Sequence, residues 1–328
     1  MTRILAADVG GTKCLLEVLD LTPDGWSTAI ERRYESDLFQ TFESLLREFL
    51  ATAGPVDFGC LAVAGPVVDG RAKVTNLPWE IAAAELAQTF GMRALRLVND
   101  FYAVAAGVPH LQPADFEMLL DRPRDPMGPI AILGAGTGLG EAIVVPERDG
   151  WTVIPSEGGH TDFAPSNDVQ DGLLRHLRTR FGHVSWERAV SGQGLVNIFT
   201  YLRDTDPALA AEDFCAGEEI TDDLPVLIAQ KDREGNPLAR ATFDLFLDAY
   251  GAEAGNLALK CLASGGVFLA GGIAARNVER MRDRRFIEAY GSKGRHSDLV
   301  MRWPVHVITN DRVGLIGAAS LASRVARA

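Results

Sequence analysis

Cysteine is scarce and poorly spaced for structural work. Cys14, Cys60, Cys215 and Cys261 form no CxxC or CxC pair. This argues against a zinc site or a disulfide framework and points to a reduced, cytoplasmic protein. Positive charge is in deficit: 32 Lys and Arg face 44 Asp and Glu, a formal charge of −12. A nucleic-acid partner would call for a basic face, so none is expected. No apolar run approaches the roughly 18 residues of a membrane span, so no membrane partner is expected either. Too little chain precedes the first expected strand for a signal peptide. Low-complexity segments are missing. Two common glycine fingerprints are missing as well. Gly10-Gly11-Thr12-Lys13 lacks the upstream glycine of a P-loop. The run 134–140, GAGTGLG, has Leu139 where a dinucleotide fold needs its third glycine. Neither run leads into a helix.

What is present starts with those same two runs. An apolar stretch, Ala131-Ile132-Leu133, enters GAGTGLG, and a second, 142–145, leaves it. Arg3 to Ala7 likewise enters Asp8-Val9-Gly10-Gly11-Thr12-Lys13, and 14–19 leaves it. Both read as strand, tight glycine turn, strand. Glycines let a backbone approach a ligand closely and aim several N–H groups at one anion, so two such turns suggest two jaws on a polyphosphate. A plain glycine-rich hairpin turn is the alternative. The repetition suggests an internal duplication.

A length of 328 residues suggests about two domains, and 47% hydrophobic residues suffice for two cores. Apolar positions 42, 45, 46, 49 and 50 mark one helix face, with Thr41 as N-cap and Gly54-Pro55 as the stop. Residues 58–64 read as a buried strand, 79–90 as a helix, 95–98 as a strand running into Asn99-Asp100, and 101–106 as a short helix. The order β-β-α-β-α-β-α indicates an α/β fold, a mixed sheet covered by helices. Residues 109–129 read as a connector. Beyond the second hairpin, 156–160 reads as a loop, 168–181 and 186–202 as helices (the second interrupted at 191–194), and 204–223 as an acidic, weakly patterned stretch. A long helix is expected over 239–262, a strand over 267–270 turning at Gly271-Gly272, an exposed basic excursion over 280–302, a last strand over 305–308 and a last helix over 313–325.

The ordered set ADVGGTK, AGPV (64–67), NLPW (76–79), LVNDF (97–101), GAGTGLG, SEGGH (156–160), Trp186-Glu187-Arg188 with SGQGL, LAGGIA (269–274) and SKGR (292–295) resembles the actin/hexokinase/sugar-kinase ATPase superfamily, and within it the bacterial glucokinases. Each motif alone is weak; the order is specific and spans nearly the whole chain. The resemblance implies a two-lobed, ribonuclease H-like fold of mixed sheets flanked by helices, with a cleft between the lobes. The small lobe would be 1–110 plus about 304–328, and the large lobe 111–303. It implies ATP, Mg2+ and glucose, closure on the sugar to exclude water, and a homodimer. The repressor relatives' CxCGxxGC zinc cluster is lacking, so no structural zinc is expected. No helix-turn-helix precedes the first strand, which speaks against the repressor members.

Phosphoryl transfer needs a held polyphosphate, a metal and a positioned hydroxyl. Asp100 is the candidate base, at a strand's carboxyl end, where α/β sites gather; the alternative is that Asn99 or Asp100 merely caps the next helix. By the resemblance Asn99, Glu157, His160 and Glu187 would bind the sugar, with Asn76 a weaker candidate. For Glu157 and His160 the alternatives are an exposed polar turn or a metal pair, though one His and one Glu on a Gly-Gly loop are poor metal evidence. For Glu187 the alternative is a helix-dipole partner, and for Asn76 a turn before Pro78. Asp8 resembles the residue that holds Mg2+ through water, or is an ordinary turn Asp. Val9, Gly10, Gly11, Thr12 and Lys13 would face the outer phosphates, though Lys13 could simply be solvated. Gly136, Thr137 and Gly138 would form the second jaw. Gly271 and Gly272 would lie under the adenosine or make a strand-to-helix turn. Rivals are a kinase of fructose or an N-acyl amino sugar, a sugar-sensing regulator, and an ATPase that moves rather than phosphorylates.

Overall fold

A computed structural model describes residues 2–216 and 223–328. The acidic stretch expected over 204–223 falls partly on 217–222, outside the described residues. The chain divides into two compact units, Met1–Ala114 with Asn310–Ala328, and Asp115–Thr309.

The first unit is built on a five-stranded mixed sheet. Its strands are β1 (Arg3–Val9), β2 (Lys13–Thr22), β3 (Gly25–Glu35), β4 (Phe58–Val63) and β8 (Ala94–Asn99), in the order β3-β2-β1-β4-β8. β1 runs antiparallel to β2 and parallel to β4, and β4 runs parallel to β8. Ile4 to Ala7 are fully buried, as a central strand's apolar run requires. Helix α1 (Phe42–Ala53) follows its apolar stripe onto the sheet: Phe42, Leu45, Leu46 and Phe49 are buried. Thr41 accepts the Ser44 N–H at 3.2 Å, and Gly54, at φ 83°, ends the helix.

The structure departs from the sequence pattern at two places in this unit. β3 has no clear signature, because it alternates only weakly and is mostly exposed. The helix expected over 79–90 begins at Ala83, as α2 (Ala83–Phe90). Glu80–Ala82 is instead β7, paired with β6 (Arg71–Lys73), which pairs with β5 (Val67–Val68) in a small separate sheet. Trp79 is 2% exposed, lies in the core, and donates its ring N–H to Phe39 O at 3.2 Å. Tertiary pairing has overridden local helix preference here. Helix α3 (Asp100–Gly107) follows β8, and the C-terminal helix, Val313–Arg327, packs on β1, β4 and α3.

The second unit carries a six-stranded mixed sheet of β9 (Phe116–Leu120), β10 (Ile130–Ala135), β11 (Leu139–Glu147), β12 (Gly150–Ser156), β13 (Val267–Ala270) and β14 (Val305–Ile308), in the order β12-β11-β10-β13-β14-β9. Apart from the β9 edge, the order repeats that of the first sheet: a hairpin with an outer antiparallel strand, then two parallel strands. The supposed connector 109–129 thus contains β9, antiparallel to β14. Around the sheet lie α4 (Asp168–Phe181), α5 (Gly192–Thr205), α6 (Pro207–Ala210), α7 (Leu224–Arg233), α8 (Pro237–Cys261), α9 (Gly272–Arg276), α10 (Val278–Met281), α11 (Arg284–Gly291) and α12 (Ser297–Val300). The interrupted helix of 186–202 resolves into a 3-10 turn, Trp186–Arg188, and α5, whose N-cap Ser191 accepts the Gly194 N–H at 3.0 Å.

The basic excursion of 280–302 is not wholly exposed. Phe286 and Tyr290 of α11 are fully buried, with Phe286 edge-on to Tyr250 of α8 at 5.6 Å. A Cβ at Gly251 or Gly255 would stand 2.3 Å from the carbonyl of Phe286 or Tyr290, so only glycine admits so close a helix pair. The many surface arginines hide this seam in the composition.

The C-terminal helix is seated by the same device. A Cβ on Gly317 would stand 1.8 Å from Ala103 O of α3. Alanine would gain about 1 kcal/mol in helix propensity, but overpacking against a rigid carbonyl costs about 3 kcal/mol. Gly317→Ala is therefore expected to destabilise by about 2 kcal/mol, read in urea unfolding as a lower midpoint at unchanged slope.

Candidate active site

In the first unit, the parallel register places Val9, Val63 and Asn99 in line at the carboxyl ends of β1, β4 and β8. Asp8 and Asp100 therefore come to the same edge, where open α/β sheets gather ligands. Burial first, and then the charge of Asp100, push Asp8 up to about 6, while Lys13 pulls it down. Burial raises Asp100 too, opposed by hydrogen bonds from the Phe101 N–H and the Asn99 side chain. Asp100 Oδ1 accepts both, at 2.8 and 2.9 Å. Asn99 is the helix cap: its Oδ1 accepts the N–H groups of Phe101 and Tyr102 at 2.9 and 3.2 Å, and its Nδ2 also donates to Gly65 O at 3.2 Å. Gly314, at the start of the C-terminal helix, faces Asp8; a Cβ there would lie 3.4 Å from Oδ2.

The Gly10–Thr12 turn closes the β1–β2 hairpin beside Asp8. Part of its backbone is already engaged. Gly10 N–H donates to Lys13 O at 3.0 Å, Ser36 N–H donates to Thr12 O at 2.9 Å, and Val9 O accepts the Ala64 N–H at 3.0 Å. Thr12 and Lys13 are exposed. A Cβ on Gly11 would meet Thr75 O at 2.7 Å, so this glycine serves a close approach of the 74–76 segment. Asn76 sits in that segment at φ 63°, a left-handed turn position that asparagine tolerates, and it is exposed. Asn76 therefore stands in a turn before Pro78.

In the second unit, the 136–138 turn, the 157–160 loop and Glu187 come together around the start of β11. Glu187 Oε2 accepts the Leu139 N–H at 3.0 Å, and a Cβ on Gly138 would stand 2.4 Å from the same oxygen. His160 lies between two carboxylates, with Nδ1 3.9 Å from Glu187 Oε1 and Nε2 3.8 Å from Glu157 Oε2. Glu157 is exposed, His160 mostly so, and Glu187 half-buried. A Cβ on Gly159 would meet Leu139 O at 2.2 Å, so the loop lies directly on β11. Gly136 faces open space, while its own N–H donates to Gly138 O at 2.9 Å and its carbonyl accepts Gly192 N–H at 2.8 Å. Thr137 is exposed at the tip. Gly271, at φ 88°, is exposed, and a Cβ there would meet Ala135 O at 2.4 Å; Gly272 opens α9. The strand-to-helix turn expected for this pair is present.

Two links have no signature that the motifs reveal. One is the Glu187 bond to Leu139 N–H, between residues 48 apart with no shared pattern. The other is Glu141, 2% exposed within β11; a charge inside an otherwise apolar strand is its signal. The residues fit a cation at Asp8. Two half-buried carboxylates repel, and among the described residues Lys13 is the cation that offsets Asp8. Among the described residues no group of three or more His, Cys, Asp or Glu could hold a metal. A carboxylate such as Asp8 is a donor that Mg2+ accepts, since Mg2+ takes one or two carboxylates and completes its shell with water and phosphates.

Comparison with known proteins identifies the family and the fold. A family model described as Glucokinase matches residues 5–325. A glucokinase of a Nostoc species is 40% identical over 99% of this chain and 100% of its own length. That of Photorhabdus laumondii is 36% identical over 96% and 95%. The crystal structure of a glucokinase from an Antarctic psychrotroph superposes with a TM-score of 0.85 at 31% identity, covering 99% of both chains. A ROK family glucokinase from Streptomyces griseus, in complex with glucose and AMPPNP, shares the fold at a TM-score of 0.61 and 22% identity, covering 98% of this chain and 99% of its own. The mixed sheets flanked by helices are those of the actin/hexokinase-like sugar kinases, and the chain belongs to the glucokinase family.

Proposed function

We propose that this protein transfers the terminal phosphoryl group of ATP to the 6-hydroxyl of glucose, giving glucose 6-phosphate and ADP. The observation that carries the mechanism is the Asp100 carboxylate, fixed at the first turn of α3 beside Asp8. With Oδ1 held by the Phe101 N–H and Asn99, the other oxygen accepts the hydroxyl proton as the bond to phosphorus forms. Asn99 steadies Asp100 and binds a neighbouring sugar hydroxyl, exchanging its longer bond to Gly65 O. Glu157, His160 and Glu187 take the remaining hydroxyls, with Asn76 at the rim. A site built of such acceptors rejects sugars that lack a matching hydroxyl, because its own polar groups are then unpaired.

Gly11, Thr12 and Lys13 meet the outer phosphates in the first unit, and Thr137 and Gly138 meet them in the second. Gly271 and Gly272 admit the adenosine. Asp8 holds Mg2+ through water; the ion, when bound, neutralises charge on the phosphates. We also infer a cytoplasmic homodimer with neither nucleic acid nor membrane as partner. The net charge of −12 supports the first absence. Among the described residues no helix is long and apolar enough to cross a membrane.

Asp100→Ala is expected to lower kcat about a thousandfold or more, since a positioned base contributes about 10²–10⁴. ATP–Mg2+ binding, followed by calorimetry, should persist, because the loss relieves Asp8 of a like charge. In wild type, activity should fall as pH drops through about 6, where Asp8 takes up a proton. Saturating Mg2+ favours the ionised carboxylate and should move that acid limb downward in a pH–rate profile. In a coupled assay, glucose should exceed fructose and N-acetylglucosamine in kcat/KM by at least about tenfold; equal turnover of either would replace glucose as the substrate.

A further inference from the structure

Beneath the 157–160 loop lies a buried acid that phosphoryl transfer does not use. Glu141, the third residue of β11, is 2% exposed, and neither of its oxygens meets a donor among the described residues. The titratable group that faces it is another carboxyl, that of the fully buried Glu253 on α8. Carboxylates only accept, so two of them buried together favour a proton on one. Glu253 already has donors: Asn256 Nδ2 at 2.8 Å and Lys260 Nζ at 3.2 Å. Burial raises Glu253 as well, but these donors oppose it, whereas Glu141 meets none, so the proton resides on Glu141. Lys293, in the SKGR motif, braces the cluster from the far side, donating to Ala252 O at 2.7 Å and Asn256 Oδ1 at 2.9 Å. On the sheet, Glu141 is flanked by Leu133 of β10 and Ser156 of β12.

The other side of Glu141 touches the loop. A Cβ on Gly158 would stand 1.9 Å from Glu141 Oε2, and Gly158 N–H donates to Ser156 Oγ at 2.9 Å. We propose that Glu141 is a positioning residue for sugar binding: as a neutral acid sharing its proton with Glu253, it carries the Gly158 backbone and so sets where Glu157 and His160 stand. This rests on the reading of that loop as part of the sugar site. Loss of the proton to solvent would leave two buried negative charges side by side, and the loop resting on one of them must shift. Burial, and then the Glu253 charge, push Glu141 up to about 7, with Lys260 opposing. The neutral state is therefore lost as pH rises through about 7.

The test is the glucose KM and calorimetric glucose affinity of wild type, Glu141→Gln and Glu141→Ala between about pH 6 and 8.5. In wild type, KM is expected to rise about tenfold across that range, and kcat to change much less. Glu141→Gln, which fixes the neutral state and can donate to Glu253, should remove this rise; Glu141→Ala should raise KM at every pH. A wild-type KM that stays flat, or an equal rise in the Gln variant, overturns the proposal. Infrared spectroscopy of wild type gives a readout independent of turnover. A buried protonated-carboxyl band that Glu141→Gln lacks should be present at about pH 6 and lost at about pH 8.5; its absence at the lower pH also overturns the proposal. Absence of glucose turnover at any pH, with that band present, would instead count against the assigned reaction.

Discussion

Two negative charges held near each other set the chemistry of the first unit. The parallel strands β1 and β8 deliver Asp8 and Asp100 to one edge, separated only by β4. There, partial burial weakens solvation and each carboxylate raises the cost of ionising its neighbour. The Lys13 ammonium offsets part of that repulsion, and a metal ion on Asp8 would offset more. The hairpin turn beside Asp8 and the bare Cα of Gly314 keep the approach to it clear. Asn99 does two jobs with one side chain, capping α3 and orienting Asp100, so the helix start and the Asp100 carboxylate are one construction.

The second unit is organised by the first residues of β11. Leu139 N–H ties Glu187, and Gly158 and Gly159 lie too close to Glu141 and Leu139 O to admit a Cβ. The glycine turn, the 157–160 loop and Glu187 thus meet on one strand. This gives the glycines of GAGTGLG a role beyond approach to an anion. Gly138 is needed because a Cβ would collide with Glu187, and the Gly136 N–H is spent inside the turn. Within that turn, the exposed Thr137 is the group best placed to meet a ligand.

The parts legible in the sequence are those with a strong local signature. The apolar stripe and caps of α1, the two strand–glycine–strand hairpins and the fully apolar β13 are local facts, and the structure has them. Asp100 stands out because a polar pair directly after an apolar strand marks a helix cap or a ligand edge. In the structure Asn99 caps the helix, and Asp100 Oδ1 also accepts the Phe101 N–H. Elements made by pairing alone are hidden. β3, β7 and β9 are strands because a neighbour offers an edge, and Phe286 and Tyr290 are buried because Gly251 and Gly255 let α11 settle on α8. The joint fixing of Glu187 and the 157–160 loop on β11 is hidden for the same reason: their ties join residues far apart in the chain.

A crystal structure with glucose, Mg2+ and a non-hydrolysable ATP analogue tests the central claim most directly. The account predicts an Asp100 carboxylate oxygen in hydrogen-bond contact with the sugar 6-hydroxyl and a metal-bound water on Asp8. An Asp100 that stays with the α3 amides, turned from the sugar, or a metal bound away from Asp8, would contradict it.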